Sequence, residues 1–229
     1  MAPAFKEIVD LGHEYFNGMR HIGNAPVAFW PIRTHDENRR ISHGKLGLES
    51  RMMLMPEHCG THLDVPRHGN KDGLALDQVP LESLVVPGHF MDFTHKREGE
   101  AISIADFEEA ERKTGQRIGP GKATFCWTGT DKVWGEPGFS TRRPHVPTTT
   151  AQWLVDRGMT LFCTDMIGMD DPAEWWWPTH QIWLDAGVCM VQQLRNLGAL
   201  AGKSFVFVCL PLKIREGTGC PVRPVALVA

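Results

Sequence analysis

The segment H-C-G-T-H-L-D-V-P-R-H, residues 58 to 68, concentrates side chains that bind metal ions. It holds three of the eleven histidines of the chain, His58, His62 and His68, together with Asp64. Imidazole nitrogens and a carboxylate oxygen are the ligands that a divalent ion such as Zn²⁺ or Mn²⁺ prefers in proteins. The residue types therefore indicate a metal site in this segment.

The spacing of these four residues fits an extended chain better than a helix. Alternate side chains of a strand share a face, and positions 58, 62, 64 and 68 are all even. In a helix, position 64 would lie about 200° from position 62, and both Gly60 and Pro66 disfavour a helix. A straight strand would separate positions 58 and 62 by about 13 Å. The chain must therefore bend between them, and Gly60 is where a bend costs least.

The pattern H-x-G-T-H-x-D-x-P-x-H resembles the signature of the metal-dependent cyclase family of hydrolases. That family includes bacterial kynurenine formamidases, isatin hydrolases and trans-dienelactone hydrolase. All the fixed positions of the signature are present. The resemblance implies that His58, His62 and Asp64 bind the metal and that His68 is the catalytic acid and base. The implied reaction is attack of a metal-activated water on the carbonyl carbon of an amide or ester, with His68 carrying the proton.

A later pair of polar residues departs from the formamidase branch of that family. Where that branch has a His and a Glu that bind a second metal, this chain has His180 and Gln192. A neutral amide binds a divalent cation less well than a carboxylate does. We therefore predict one metal ion, Mn²⁺ or Zn²⁺. His180 and Gln192 would then hydrogen-bond the substrate or the metal-bound water, and Gln192 would help to polarise the substrate carbonyl.

The tryptophans indicate the kind of substrate. Trp30 in the segment F-W-P resembles a tryptophan that packs on the substrate in the formamidase branch, and we predict that it contacts the substrate here. The consecutive residues Trp175 to Trp177 cannot all face a core, so at least one should line a pocket or an interface. Planar rings of this kind stack well on a planar cyclic substrate.

The leading prediction is a hydrolase that acts on a carbon–nitrogen bond other than a peptide bond and opens a small cyclic amide or lactone. The most specific version of this prediction is the conversion of isatin to isatinate. The replacement of a carboxylate by Gln192 favours this reaction. An arylformamidase that acts on N-formylkynurenine and a trans-dienelactone hydrolase are the alternatives. The chain has no G-x-S-x-G motif, so a serine-dependent α/β-hydrolase lacks its nucleophile.

Two hypotheses of other classes stay open at this point. The segment could belong to a divalent-metal-binding module without turnover, but such a module has no use for His68 outside the ligand set. A dehydratase or lyase could use the same metal, and its product would form without uptake of solvent oxygen. Replacement of His68 separates the first hypothesis from hydrolysis, and isotopic labelling separates the second.

The bulk properties of the chain favour a single domain over residues 1–229. The 229 residues contain no Gly/Ser linker or repeat, and 42% are hydrophobic. The net charge of −3 with interspersed signs excludes a nucleic-acid or membrane-binding basic patch. No apolar run is long enough for a membrane helix. The first residues lack a basic segment followed by an apolar run, so we expect that they are not a signal peptide. Six scattered cysteines without a C-x-x-C pair predict buried free thiols and a cytoplasmic protein.

The hydrophobic pattern predicts alternating strands and helices. The resemblance implies a mixed α/β fold, a single compact domain with a β-barrel-like core of the swivelling β/β/α type. It also implies a homodimer or homotetramer in which the N-terminal segments reach neighbouring sites. We predict strands near 7–11, 46–55, 84–93, 123–127, 160–163, 204–210 and 225–228, helices at 103–115 and 148–157, and a polar loop at 33–45.

Overall fold

The computed structural model describes residues 5–19 and 25–229, and this part of the chain forms eleven strands and four α-helices. The strands are β1 (Glu7–Asp10), β2 (Ala28–Arg33), β3 (Ser50–Leu54), β4 (His62–Asp64), β5 (Val85–Asp92), β6 (Ala123–Trp127), β7 (Leu161–Thr164), β8 (Cys189–Gln192), β9 (Phe205–Val208), β10 (Gly219–Pro221) and β11 (Val225–Val228). The helices are α1 (His35–Ile41), α2 (Ile104–Thr114), α3 (Thr148–Asp156) and α4 (Pro178–Asp185).

Nine strands form one curled, half-barrel sheet in the order β1-β11-β9-β5-β6-β7-β8-β4-β10. The central pairs β5-β6, β6-β7 and β7-β8 are parallel, and the outer pairs are antiparallel. Helices cover one face of the parallel part, because each parallel connection must cross over the sheet. The predicted mixed α/β fold with a single barrel-like sheet is confirmed. The predicted domain also contains residues 1–4 and 20–24, which lie outside the described part.

The parallel strands are buried on both faces, and their side chains alternate between two cores. Phe125 and Cys163 belong to the core on the inner side of the curl, while Cys126 and Phe162 belong to the core beneath the helices. This alternation follows from the two-residue repeat of a strand. It explains why these strands appear in the sequence as continuous apolar runs. All six cysteines are buried and free of disulfides, as the sequence predicts.

The boundaries of most predicted elements agree with the structure to within two residues. Helix α2 has its N-cap at Ser103, with a reciprocal capping box to Asp106, and ends at Gly115 in a left-handed conformation. The predicted strand at 46–55 is shorter, as β3. Of the helices in the described residues, none has the length and hydrophobicity needed to span a membrane.

The region between residues 28 and 45 differs from the prediction of loops. Residues 28–33 form β2, which pairs with β3 as a separate two-stranded sheet. Residues 35–41 form helix α1 instead of a polar loop, because Thr34 and Glu37 form a second capping box. This two-stranded sheet has largely exposed strands, including apolar Ile32, Met53 and Leu54. Within the described residues, its strands form no hydrogen-bonded pair with the nine-stranded sheet that carries the candidate site.

Candidate metal centre

Strand β4 carries two of the predicted ligands, His62 and Asp64. It lies next to the edge strand β10 of the nine-stranded sheet. It pairs with β8 on one side and β10 on the other, so both side chains are almost fully buried. The chain turns sharply before β4 at Gly60, where φ is +55°. A side chain at Gly60 would meet the Tyr15 ring at 2.8 Å, so only glycine fits the bend. The bend predicted from the spacing is confirmed.

This bend brings His58 back to the carboxylate of Asp64. The Nδ1 atom of His58 lies 2.5 Å from Asp64 Oδ1, and the Nε2 atom of His62 lies 3.2 Å from the same oxygen. One ring nitrogen of His68 joins them, since ligand atoms of His58, Asp64 and His68 all lie within 4.8 Å of one another. The four residues of the sequence motif therefore form one cluster.

Neighbouring groups fix which ring nitrogen of each histidine faces this cluster. The Thr218 hydroxyl lies 2.5 Å from Glu57 Oε2 and donates to it, so it accepts a hydrogen bond from His58 Nε2 at 2.9 Å. His62 Nδ1 donates to the Gly60 carbonyl at 2.8 Å. The ring hydrogens of both histidines are thus donated to groups outside the cluster. The lone pairs of His58 Nδ1 and His62 Nε2 point at Asp64.

A divalent cation fits this set of atoms. Three lone-pair donors converge, two imidazole nitrogens and one carboxylate oxygen, and at such separations they repel unless a cation or a proton lies among them. Burial alone would raise the pKa of Asp64, but a proton or a cation shared with the adjacent His62 and His58 outweighs burial and holds that pKa well below its usual range. The carboxylate is therefore ionised and available as a ligand, and the ligand types are those of a Zn²⁺ or Mn²⁺ site.

His68 lies beside the cluster on a different element. Pro66 starts a short 3₁₀ helix, Pro66–His68, immediately after β4, and this turn folds the His68 ring onto His58 with ring centroids 3.8 Å apart. Burial lowers the pKa of His68 to about 4. At neutral pH the imidazole is thus uncharged and able to accept a proton. Its position next to the cluster allows either metal ligation or proton transfer.

His180 and Gln192 reach the same cluster from α4 and β8. Gln192 Nε2 donates to Asp64 Oδ2 at 2.5 Å and lies 3.0 Å from His180 Nε2. His180 Nδ1 in turn donates to Asp170 Oδ2. The buried Arg143 donates from Nη1 to the backbone carbonyl of Asp170 at 2.6 Å and so holds this loop. A continuous hydrogen-bonded chain therefore runs from Arg143 to the predicted metal ligand Asp64.

Two aspartates that follow β7, Asp165 and Asp170, are outside the cluster. Asp170 orients His180 and also accepts from the backbone N–H groups of Thr179 and His180. Asp165 accepts from the backbone N–H and the hydroxyl of Thr128, both at 2.9 Å. Both carboxylates therefore orient other groups.

The predicted substrate contact Trp30 does not join the cluster. It lies on β2, with 45% of its surface exposed, and in the part of the chain that the structure describes no ring contact or hydrogen bond links it to the site. Trp177 lies closer, with its ring centroid 5.8 Å from that of His180. Trp175 to Trp177 are all exposed, so Trp177 lies at the protein surface beside His180.

Sequence reasoning missed three residues that support the cluster. Glu57 and Thr218 fix the tautomer of His58, and Gln193 donates from Nε2 to the Gly60 carbonyl at 2.8 Å. Glu57 directly precedes the motif, which is the only local signal that could have pointed to it. Thr218 and Gln193 are distant in sequence and reach the motif through the pairing of β4 with β10 and β8.

Comparison with known proteins identifies the family of this chain. The family model Cyclase, described as "Putative cyclase", matches residues 9–171. The chain belongs to this family. A kynurenine formamidase from Salinibacter ruber is 28% identical over 202 residues, which cover 86% of this chain and 84% of the relative. An isatin hydrolase from Roseibium aggregatum is 27% identical over 197 residues, 77% of this chain and 73% of the relative.

Solved structures confirm the fold. Isatin hydrolase A from Labrenzia aggregata, bound to benzyl benzoate, superposes with a TM-score of 0.84 at 25% identity, over 96% of this chain and 93% of that one. The two relatives named above, a formamidase and an isatin hydrolase, are both hydrolases. The chain is therefore a Cyclase-family hydrolase with a candidate metal centre at its His/Asp cluster.

Proposed function

We propose that the chain is a metal-dependent hydrolase that opens a small cyclic amide, with isatin as the leading substrate. The observation that carries this proposal is the convergence of His58, His62 and Asp64 lone pairs with His68 beside them. The named isatin hydrolase relative supports the substrate class. Trp177 beside His180 offers an aromatic face for a planar ring.

The roles of the residues follow from their positions. His58, His62 and Asp64 would hold the metal, with Thr218 and Gly60 fixing the two imidazoles. A bound divalent ion supplies Lewis-acid polarisation of the carbonyl and an activated water. His68 takes a proton from the attacking water and returns it to the leaving nitrogen, so that the water's oxygen ends on the carbonyl carbon and the carbon–nitrogen bond breaks.

The site is proposed to hold one metal ion. The amide nitrogen of Gln192 lies between Asp64 Oδ2 and His180 Nε2 and hydrogen-bonds both. These two atoms would be needed by a second ion next to the first. Because the amide already satisfies them without adding charge, the arrangement favours a mononuclear site.

A homodimer or homotetramer is proposed on the basis of the two-stranded sheet. Both β2 and β3 expose apolar side chains, including Trp30, Ile32 and Met53, and such a surface on a projecting element favours contact with another copy. In that arrangement Trp30 would contact substrate bound to a neighbouring copy, which reconciles its predicted role with its distance from the cluster. Size-exclusion chromatography with light scattering tests this proposal, and a strictly monomeric protein would contradict it.

The function is tested by metal content and turnover measured on the same preparation. Purified protein is loaded separately with Mn²⁺ and Zn²⁺, and metal is counted by mass spectrometry. Isatin, N-formylkynurenine, a dienelactone and a cyclic imide are then offered as substrates. We expect about one metal per chain and turnover of isatin. Two metals per chain with turnover of N-formylkynurenine alone would instead support the formamidase alternative, for which the Salinibacter relative is the argument.

Replacement of His68 separates hydrolysis from simple metal binding. We expect His68→Ala to keep its metal and to lose hydrolysis by at least about 100-fold, since general acid–base catalysis typically contributes 10²–10⁴. His95→Ala, which removes an exposed imidazole far along the chain, is the matched control. Unchanged turnover in His68→Ala would refute the proposed role, and loss of metal would show that His68 is a ligand.

A further inference from the structure

The side-chain amide of Gln192 has only one possible orientation. Asp64 Oδ2 can only accept a hydrogen bond, so the amide atom 2.5 Å from it is the nitrogen. His180 Nε2 is also an acceptor, because the ring hydrogen of His180 lies on Nδ1 and is donated to Asp170. Both amide hydrogens of Gln192 are therefore committed, to Asp64 and to His180.

This orientation corrects the expectation that Gln192 polarises a substrate carbonyl. It has no hydrogen left to donate, and it presents the carbonyl oxygen Oε1 instead. Among the described residues Oε1 has no hydrogen-bond partner. It is not one of the unpaired polar side-chain atoms that are inaccessible to solvent. An acceptor on a side chain that is only 4% exposed loses its water partners when a ligand fills the site, so it needs a donor from that ligand.

Gly168 keeps the space in front of Oε1 open. A side-chain carbon at Gly168 would lie 3.9 Å from Gln192 Oε1 and 3.3 Å from His180 Cε1. The φ angle of Gly168 is +88°, a conformation that glycine adopts without strain. The missing side chain at Gly168 therefore leaves room for about one carbon atom beside Oε1 and His180.

We propose that Gln192 is a specificity-determining residue that selects substrates with an N–H group next to the scissile carbonyl. Cyclic amides and N-formyl amides carry such a donor, whereas lactones and N-alkylated amides place an electron pair or a methyl group against Oε1. This inference rests on the proposed hydrolytic function. It adds that the trans-dienelactone alternative is disfavoured by the site itself, since a lactone leaves the buried oxygen unpaired.

The test compares isatin with N-methylisatin, which differs only in the N–H group, on the metal-loaded enzyme. We expect wild type to prefer isatin by at least about 10-fold in kcat/KM, each rate normalised to the uncatalysed reaction. In Gln192→Met the ratio should fall to within about 3-fold of unity. Methionine has a similar length, so it keeps the bulk that could reject a methyl group and removes only the acceptor and donors. Gln181→Met, on the exposed side of α4 with its amide on the Gly69 carbonyl, is the matched control and should keep the wild-type ratio.

The outcomes separate the inference from the proposed function. A wild-type ratio near unity, or a ratio that survives in Gln192→Met, overturns the role of Gln192 while leaving the hydrolase intact. If neither compound is hydrolysed, the proposed function fails, and the dissociation constants of both compounds, measured by tryptophan fluorescence quenching, decide the inference. Equal constants overturn it, and tighter binding of isatin that disappears in Gln192→Met supports it.

Discussion

His89 gives the protein a predictable sensitivity to acid. It lies fully buried on β5, and its Nε2 donates to the Thr114 hydroxyl at 3.0 Å, because that hydroxyl already donates to the Ala110 carbonyl. Its Nδ1 atom is sealed from solvent and has no partner among the described residues. Protonation would place an N–H and a positive charge in the core with no acceptor. Burial, with a smaller contribution from Lys122, accordingly lowers the pKa of His89 to about 4.

The size of the effect of His89 on the free energy of unfolding follows from proton linkage. The pKa is about 4 in the folded state and about 6.5 in the unfolded chain, so the unfolded state binds more protons between these values and stability falls as pH falls through that window. From these two pKa values, His89 alone should cost about 2 kcal/mol of unfolding free energy at pH 5 relative to pH 7.5. The effect is absent above pH 7.5, where the imidazole is neutral in both states.

The variant His89→Leu isolates this contribution from those of other histidines. It removes the titrating group and keeps the site apolar, so its stability relative to wild type should improve by about 2 kcal/mol between pH 7.5 and pH 5. The assay is equilibrium urea unfolding at both pH values in EDTA, so that metal binding does not contribute. His95→Leu, which removes an exposed histidine, is the control. A difference between wild type and His89→Leu that does not change with pH would refute the reasoning.

Three further predictions concern other positions. Thr218→Val keeps the shape and removes the acceptor for His58 Nε2, so we expect metal affinity to fall about 10- to 100-fold in competition with a chelator, and an unchanged affinity would exclude this positioning role. Gly88→Ala would overlap the Phe205 ring and should cost about 1–3 kcal/mol in urea unfolding, with full stability contradicting the packing described. Ser103→Ala removes the N-cap of α2 and should cost about 1 kcal/mol, whereas Ser103→Asp should restore most of it.

Some elements could be predicted from the sequence because their signals are local. The helix that begins after Ser103 has its capping box and its terminal Gly115 in the sequence itself, and the strand at Ala123–Trp127 is a continuous apolar run. Helix α1 carries an equally local capping box from Thr34 to Glu37, but its charged residues leave no apolar face to reveal it. Strand β2 contains Pro31 and is exposed. Its sequence therefore lacks the alternation of apolar and polar residues from which its pairing with β3 could have been predicted.

The clustering of the four motif residues was predictable from the sequence, and the contacts that support the cluster were not. Three histidines and Asp64 within eleven residues identify the cluster, and the bend at Gly60 follows from distance alone. The direction of the Gln192 amide depends on which atoms of His180 and Asp64 face it, and these are separated from it by up to 128 residues. Sequence spacing contains no such information, so the expected donor proved to be an acceptor.

The position of β4 in the sheet has a consequence for the order in which the protein matures. The proposed metal ligands are synthesised early, at residues 58–64, but both strands that flank β4 are synthesised late, at residues 189–192 and 219–221. Thr218, which sets the tautomer of His58, also belongs to this late part. A nascent or C-terminally truncated chain therefore contains every ligand without the framework that holds them together. Selective metal uptake at the proposed site should therefore follow synthesis of β10, and loss of residues 218–221 should prevent it.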